Sequence, residues 1–333
     1  MTSHPVPRLT KLDDSRAALY GGFSVGGVSV HLAGQRRADV ALVPPLQPFH
    51  IDTGVSDIHV RVEWVAGIDS CCVPPLFESG AVWRVYEAED SLQFDFNVPF
   101  LGSQPYKRLI VDSRFRHATL QMNQQSFAAV PGVPEPLEYP LDELLIMHRL
   151  TQEPAIELHG VGIVGPNGAN NLFVGHSGAG KSTTARLWTS LHDVDILSDD
   201  RIIVRKLPVR EHPAEEDKIR GKESYESNRS ADPNQIYMYG TPWHGEAHFA
   251  LPQRAPLQRI FVLEHGHGNI LTRLTRSQVV AELFARAFVP FHRHEYVDHA
   301  LSFLERVADY VPCYRYSFEP DERAVEKILQ FND

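Results

Sequence analysis

The segment with the clearest chemical meaning is a glycine-rich stretch near the middle of the chain. Residues 171–190 read NLFVGHSGAGKSTTARLWTS and contain the pattern G-x-x-x-x-G-K-[ST]. An apolar run precedes this pattern and a helix-forming run follows it, which is the context that a phosphate-binding loop requires. The sequence therefore predicts a nucleoside triphosphate site formed by Gly175, His176, Ser177, Gly178, Ala179, Gly180, Lys181, Ser182 and Thr183.

Each residue type in this loop has a physical role. Glycines tolerate positive φ angles and let the backbone approach phosphate closely. Successive N–H groups at the start of a helix then form a site for an anion. We expect Lys181 to reach the β- and γ-phosphates and the Ser182 hydroxyl to ligate Mg²⁺. The expected ligands are ATP and Mg²⁺, although no motif in the sequence distinguishes ATP from GTP.

A pair of aspartates follows the loop. The segment Val194–Asp200 reads VDILSDD and predicts an apolar strand that ends in two carboxylates. In a parallel sheet this strand could lie beside the strand of the loop, with both carboxyl ends at the ligand-binding edge. Phosphoryl transfer to a hydroxyl requires a carboxylate near the metal and a base for the proton. Asp199 and Asp200 could divide these roles, or one of them could be structural, because adjacent side chains of a strand face opposite ways.

The sequence GHSGAGKST followed by LSDD resembles the HPr kinase/phosphorylase family, which has a GxSGxGKS loop and an aspartate pair at nearly this distance. His159 and Gly160 precede the loop much as the catalytic His-Gly of the family does. By position, the resemblance implies catalytic roles for His159, Lys181, Asp199 and Asp200. It also implies a metal site made by Ser182, Asp199 and Asp200, and it favours Asp200 as the base.

The resemblance is best over about residues 155–205. The segments GTPWHGE (240–246), IFVLE (260–264) and VPCYRYSF (311–318) are similar to HPr-kinase-like proteins, some of which are linked to modified-peptide biosynthesis. The E-x-R-G-x-G segment of the family is not visible; Glu246 is the candidate for its metal-binding glutamate, and Tyr237–Gly240 is the alternative position for the segment. Arg293 in PFHRH is the nearest counterpart of the catalytic arginine of bifunctional members. Trp243, His244 and Glu246 either line an acceptor pocket or belong to a loop whose tryptophan packs.

The pattern of the flanking regions predicts two domains. Residues 1–135 are expected to form a β-rich N-terminal domain, with strands at 57–65, 81–87, 92–96 and 108–111. A proline-rich linker at 130–140 and an amphipathic helix at 141–150 lead into a kinase domain at 136–333. The resemblance implies that this second domain has the α/β P-loop fold of HPr kinase and phosphoenolpyruvate carboxykinase. Residues 207–235 are polar and predict an exposed loop or a lid.

Composition restricts the classes of partner. The 333 residues carry a net charge of −10, which disfavours a nucleic-acid-binding surface. There is no apolar signal segment and no run of about 18 apolar residues, so we expect no membrane association. Three cysteines without metal-ligand spacing fit a reducing, cytoplasmic location. Two His-x-His pairs, at 265–267 and 292–294, are weak candidates for a metal site.

These observations lead to one leading hypothesis and two alternatives. The leading hypothesis is a kinase that is dependent on ATP and Mg²⁺ and phosphorylates a hydroxyl, either a serine of a peptide or protein or a small molecule. The first alternative is a bifunctional kinase/phosphorylase. The second is a nucleotide-gated binding or regulatory module with little transfer activity. The family analogy also implies a homo-oligomer.

Overall fold

The computed structural model describes residues 19–52, 56–80, 82–128, 134–165, 168–191, 193–207 and 234–331. The chain is mixed α/β, with two β-sheets and few helices. It divides into two compact units: unit 1 is Met1–Glu153 with Pro290–His294, and unit 2 is Pro154–Val289 with Glu295–Asp333. Most of the polar segment predicted at 207–235 lies outside the described residues. None of the helices in the described ranges is both long and apolar enough to cross a membrane.

Unit 1 is built on an eight-stranded sheet in the order β1-β2-β3-β8-β7-β6-β5-β4. Its strands are β1 (Leu19–Val25), β2 (Val28–Gly34), β3 (Ile58–Val65), β4 (Phe77–Glu78), β5 (Trp83–Ala88), β6 (Ser91–Phe96), β7 (Lys107–Asp112) and β8 (His117–Asn123). Its helices are α1 (Gln124–Phe127) and α2 (Leu141–Leu150). The predicted strands and the helix at 141–150 are confirmed, but α2 belongs to unit 1, whereas the sequence assigned it to the domain at 136–333.

Strand β3 pairs differently from what its alternating pattern suggests, because such alternation is typical of antiparallel strands. Ile58, Val60 and Val62 alternate on the buried face, as the period-2 pattern predicted. The strand pairs in parallel with both β2 and β8, however, and not with antiparallel neighbours. Between β2 and β3 the chain forms two short 3₁₀ helices, Arg37–Val40 and Pro44–Phe49. A connection of this length lets the chain return to the start of a parallel strand, which a tight turn cannot do.

Unit 2 contains a second sheet, in the order β14-β13-β12-β9-β10-β15-β18-β16, with β11 and β17 also paired to β9. The strands are β9 (Ala155–Val164), β10 (Asn170–Val174), β11 (Asp195–Ser198), β12 (Arg201–Lys206), β13 (Ile236–Tyr239), β14 (Arg254–Pro256), β15 (Arg259–His265), β16 (Ile270–Arg273), β17 (Ala287–Phe288) and β18 (Cys313–Phe318). The helices are α3 (Lys181–Leu191), α4 (Arg276–Phe284), α5 (His294–Tyr310) and α6 (Glu322–Leu329).

Helices cover both faces of this sheet. Leu172 and Val174 of β10 belong to an apolar cluster that includes side chains of α4 and α5. Phe173, between them, belongs to a second cluster that includes side chains of α3 and α6. Because successive side chains of a strand point to opposite faces, the two clusters lie on opposite sides of the sheet. Burial on both faces explains why the central strands are continuous apolar runs.

The strand that leads to the two aspartates does not lie beside β10. Strands β11 and β12 pair with β9, so β9 separates them from the strand that precedes the glycine-rich loop. Strand β9 is antiparallel to β10, β11 and β12. Strands β10 and β11 therefore run in the same direction and end at the same edge of the sheet. The carboxyl ends of β10 and β11 therefore lie at the same edge, as predicted, but β9 separates the two strands.

Candidate active site

The register of β9 brings three separate segments to one point. The carbonyl of His159 accepts a hydrogen bond from the N–H of Gly175, the first residue of the glycine-rich loop, at 3.4 Å. The N–H of His159 donates to the carbonyl of Arg286 at 2.8 Å, and the N–H of Gly160 donates to the carbonyl of Asp200 at 2.9 Å. The loop, the aspartate pair and the end of the α4 segment are thus joined to two consecutive residues of β9.

The loop between β10 and α3 has the backbone that its glycines permit. Gly178 has φ of 80° and Gly180 has φ of 99°, values that side-chain-bearing residues rarely adopt. A Cβ on Gly180 would lie 2.5 Å from the ring of Phe318, so glycine is also required there for space. His176, Ser177 and Gly178 are exposed, and Ser182 and Thr183 are half-buried at the start of α3. The loop therefore offers free surface at the N-terminus of a helix, where an anion is favoured.

Lys181 is held inside the curve of this loop. Its side chain is buried, and Nζ donates to the carbonyls of Gly175 and His176, each at 3.0 Å. Burial, together with the charge of Arg286, lowers the pKa of Lys181 to about 8, and the charge of Asp199 opposes both effects. Its ammonium group lacks an anionic hydrogen-bond partner among the described residues. A bound phosphate would supply one.

Asp199 is an anchor for the loop that follows β13. Its side chain is buried, and its carboxylate accepts hydrogen bonds from the N–H groups of Gly245 at 3.0 Å, Ala247 at 2.8 Å and Phe249 at 3.2 Å. A carboxylate has about four acceptor positions, so these amides occupy most of them. Asp199 therefore fixes the path of residues 245–249 and retains little capacity for another ligand.

Asp200 faces the opposite way and meets His159. Its Oδ1 lies 2.9 Å from Nε2 of His159, and its Oδ2 is paired with the guanidinium of Arg201. Burial lowers the pKa of His159 to about 4, and the charges of Lys181, Arg201 and Arg286 act in the same direction. His159 is thus neutral near pH 7, and in the tautomer with the proton on Nε2 it donates to Asp200. About a quarter of the Asp200 side chain remains exposed, so its carboxylate is accessible.

The predicted acceptor residues are spread along the anchored loop. Trp243 is buried, His244 is half-buried and Glu246 is exposed. The burial of Trp243 favours the packing role for this side chain. Nδ1 of His244 lies 3.2 Å from Nδ1 of His248, so the two imidazoles form a small exposed pair. Glu246 lies between two of the residues whose amides bind Asp199, but its own side chain points into solvent.

Metal ligands are few at this site. Within the described ranges, no group of three or more histidine, cysteine, aspartate or glutamate side chains is arranged to hold a metal ion. Mg²⁺ in nucleotide sites is usually held by one or two carboxylates together with phosphate oxygens and water, so fewer protein ligands suffice. The donors that fit this chemistry are the Ser182 hydroxyl and the accessible carboxylate of Asp200.

Arg293, the counterpart suggested by the PFHRH segment, is part of unit 1 and pairs with Glu87 at 2.5 Å. The other predicted catalytic, nucleotide and metal residues all belong to unit 2. Among the weaker candidates, His292 packs against His148, at 5.2 Å between ring centroids, in an aromatic group of unit 1. Its surroundings are therefore those of a packed side chain.

The sequence analysis missed Arg286, and it named His265 only as a weak candidate for a metal site. Arg286 lies between α4 and β17, and the two-residue strand β17 is too short to produce a period-2 pattern. The apolar residues from Val279 to Phe288 have a spacing that would fit one continuous helix, whereas α4 ends at Phe284 and Phe288 is in β17. His265, at the end of β15, places Nε2 2.7 Å from the carbonyl of Gly178. The signal for His265 in the sequence was its position directly after an apolar strand.

Comparisons of this chain with known protein-family models and with curated proteins found no match.

Proposed function

We propose that unit 2 is an ATP- and Mg²⁺-dependent kinase that transfers the γ-phosphoryl group to a hydroxyl acceptor. The observation that carries the proposal is the convergence on His159 and Gly160, which joins the glycine-rich loop to Asp200 at one edge of the sheet. A phosphate-binding loop beside an accessible carboxylate is the minimum that phosphoryl transfer requires, because positioning and charge supply most of the rate. The resemblance to HPr-kinase-like proteins supports the same reading.

In this proposal the loop amides and Lys181 bind the triphosphate and neutralise charge that develops on the transferred group. Ser182 would hold Mg²⁺ together with phosphate oxygens and water, and the ion would supply further charge neutralisation at the phosphates. The acceptor oxygen forms a bond to the γ-phosphorus as the bond to the bridging oxygen breaks, and ADP leaves. Asp200 takes the hydroxyl proton. Neutral His159 holds the Asp200 carboxylate in place through Nε2, so we assign it as a positioning residue.

The two aspartates therefore have different assignments. Asp200 is the base candidate, in agreement with the resemblance. Asp199 is assigned mainly to the loop at 245–249, which lies next to the site and offers a surface for the acceptor. The acceptor class stays open between a serine of a peptide or protein and a small-molecule alcohol.

The experiment that tests the proposal is a transfer assay with [γ-³²P]ATP, Mg²⁺ and fractionated metabolites and peptides from the source cell. Lys181→Ala is the control, because it removes the loop cation. Label that moves to one fraction with the wild-type protein, and not with the variant, would establish a kinase and identify its acceptor class. Tight nucleotide binding without transfer to any fraction would contradict the proposal and favour a nucleotide-gated regulatory module.

A further inference from the structure

Arg286 lies beside β9, close to the point where β10 ends. Strand β10 pairs with β9 as far as Gly160, where the chain turns into the glycine-rich loop. Strand β17 then pairs with Leu158 and Glu157. The N–H and C=O of one strand residue point to the same side, so Gly175 and Arg286, which both bond the main chain of His159, lie on the same side of β9. Arg286 is therefore adjacent to the start of the loop.

The side chain of Arg286 is buried but only partly satisfied. It is 8% exposed, and its Nη1 donates to the carbonyl and to the carboxylate of Glu282, each at 2.6 Å. Its Nε has no hydrogen-bond partner among the described residues. Glu282 is shared, since Arg315 also donates to its carboxylate at 2.7 Å. Arg315 also pairs with Glu264 at 2.9 Å, so the two guanidinium groups are balanced by two carboxylates, and the unused Nε of Arg286 is the donor that remains for a ligand.

Arg286 and Lys181 bring two positive charges close enough to the loop to act on each other. The charge of Arg286 lowers the pKa of Lys181, after burial, and also contributes to the lowered pKa of His159. Like charges that are brought together and removed from water are costly unless an anion lies near both. A phosphate group is the anion that the neighbouring loop is built to receive. Lys181 and Arg286 are therefore placed as the two cations of a phosphate-binding site would be.

We propose that Arg286 binds the terminal phosphate of the nucleoside triphosphate, opposite Lys181, and makes the site prefer triphosphate over diphosphate. The inference rests on the proposed nucleotide site and adds a residue that no motif marks. Arginine suits this role because its planar guanidinium donates two parallel hydrogen bonds to phosphate oxygens. During transfer the same contact would stabilise the charge on the γ-phosphoryl oxygens.

The test measures binding of two nucleotides, AMP-PNP and ADP, to the full chain by calorimetry in the presence of Mg²⁺ and without an acceptor. For Arg286→Gln we expect the Kd of AMP-PNP to rise by about tenfold to hundredfold, because charge-assisted hydrogen bonds to one phosphate are lost. The Kd of ADP should change by less than about threefold, which would also show that the loop is intact. Arg286→Lys, which keeps the charge but not the paired donors, should lie between Arg286→Gln and the wild type.

Glu282→Gln is the matched control. It removes the anionic partner of Arg286 and leaves the guanidinium, so it should retain the preference for AMP-PNP. An equal loss of AMP-PNP and ADP binding in Arg286→Gln, no loss of either, or the same loss in Glu282→Gln would each overturn the proposal. Nucleotide binding without phosphoryl transfer by the wild type would contradict the kinase function alone, because the binding preference would still report on Arg286.

Discussion

Nε2 of His159 lies 2.9 Å from Oδ1 of Asp200, although His159 is in β9 and Asp200 is in the bend between β11 and β12, far from it in sequence. The contact follows from the register of the sheet, in which His159 is paired with Arg201, the residue after Asp200. The same His159 accepts a main-chain hydrogen bond from Gly175 of the loop. A single residue of β9 thus links the proposed base to the proposed phosphate site.

The first prediction concerns the division of roles between the two aspartates. Asp199→Ala leaves three buried or half-buried amides without their acceptor, and we expect the free energy of unfolding to fall by about 3 kcal/mol. Asp200→Ala removes a partly exposed carboxylate but leaves Arg201 near a second acid, Glu157 at 3.5 Å, so its effect should be smaller, at about 1–2 kcal/mol. Urea denaturation of the two variants gives both values. Equal losses of stability would show that Asp199 is not the structural member of the pair.

The second prediction concerns the contact between His265 and the loop. With its proton on Nε2, His265 donates to the carbonyl of Gly178 and fixes the orientation of that peptide group. His265→Ala should weaken AMP-PNP binding by about threefold to tenfold, which corresponds to the loss of one hydrogen bond at an exposed site. His265→Gln, which also carries a donor, should retain most of the affinity. Wild-type affinity in His265→Ala would exclude a role for this contact in shaping the loop.

The third prediction concerns acid sensitivity of unit 1. His148 is fully buried, its Nδ1 lies 2.6 Å from the carbonyl of Leu144, and its ring packs against Phe94, Phe115 and His292. Burial lowers the pKa of His148 to about 3, and the charges of His292 and Arg293 act in the same direction. In the unfolded chain a histidine titrates near 6.5. Below that pH the unfolded state binds a proton that the folded state does not bind.

Protonation of the unfolded chain therefore destabilises the folded state as the pH falls below 6.5. The stability associated with neutral His148 is fully present above pH 6.5 and is lost as the pH falls toward 3, with a slope of about 1.4 kcal/mol per pH unit. The measurement is the urea midpoint of the full chain between pH 7 and pH 4. His148→Leu should reduce this slope by about 1.4 kcal/mol per pH unit relative to the wild type, which corresponds to one proton. An unchanged slope in His148→Leu would refute the assignment.

Much of the site could be predicted from the sequence because its parts are local. The loop from Gly175 to Thr183 is defined by a contiguous pattern, and its glycines adopt the backbone that the pattern requires. The aspartate pair follows an apolar strand, and the strand was found at the predicted place. The helix α2 has the predicted limits, since its apolar positions recur with helical spacing.

The rest depends on contacts that no local pattern records. Asp199 and Asp200 are identical in type and adjacent in sequence, and only the return of residues 245–249 determines which one becomes the anchor. Arg286 reaches the site through the two-residue strand β17. Sequence spacing also could not show that β9 lies between β10 and the aspartate strand, because pairing order in a mixed sheet is decided by long-range packing.

The most direct test of the account is label transfer from [γ-³²P]ATP by Asp200→Asn, compared with the wild type and combined with the Kd of AMP-PNP for each protein. With an acceptor-containing fraction, we expect the rate of transfer to fall by about 10²–10⁴-fold, because the proton acceptor is lost. The Kd of AMP-PNP should stay within about threefold of the wild-type value. Transfer by Asp200→Asn at a rate close to that of the wild type would contradict the central claim that phosphoryl transfer takes place at the His159–Asp200 pair.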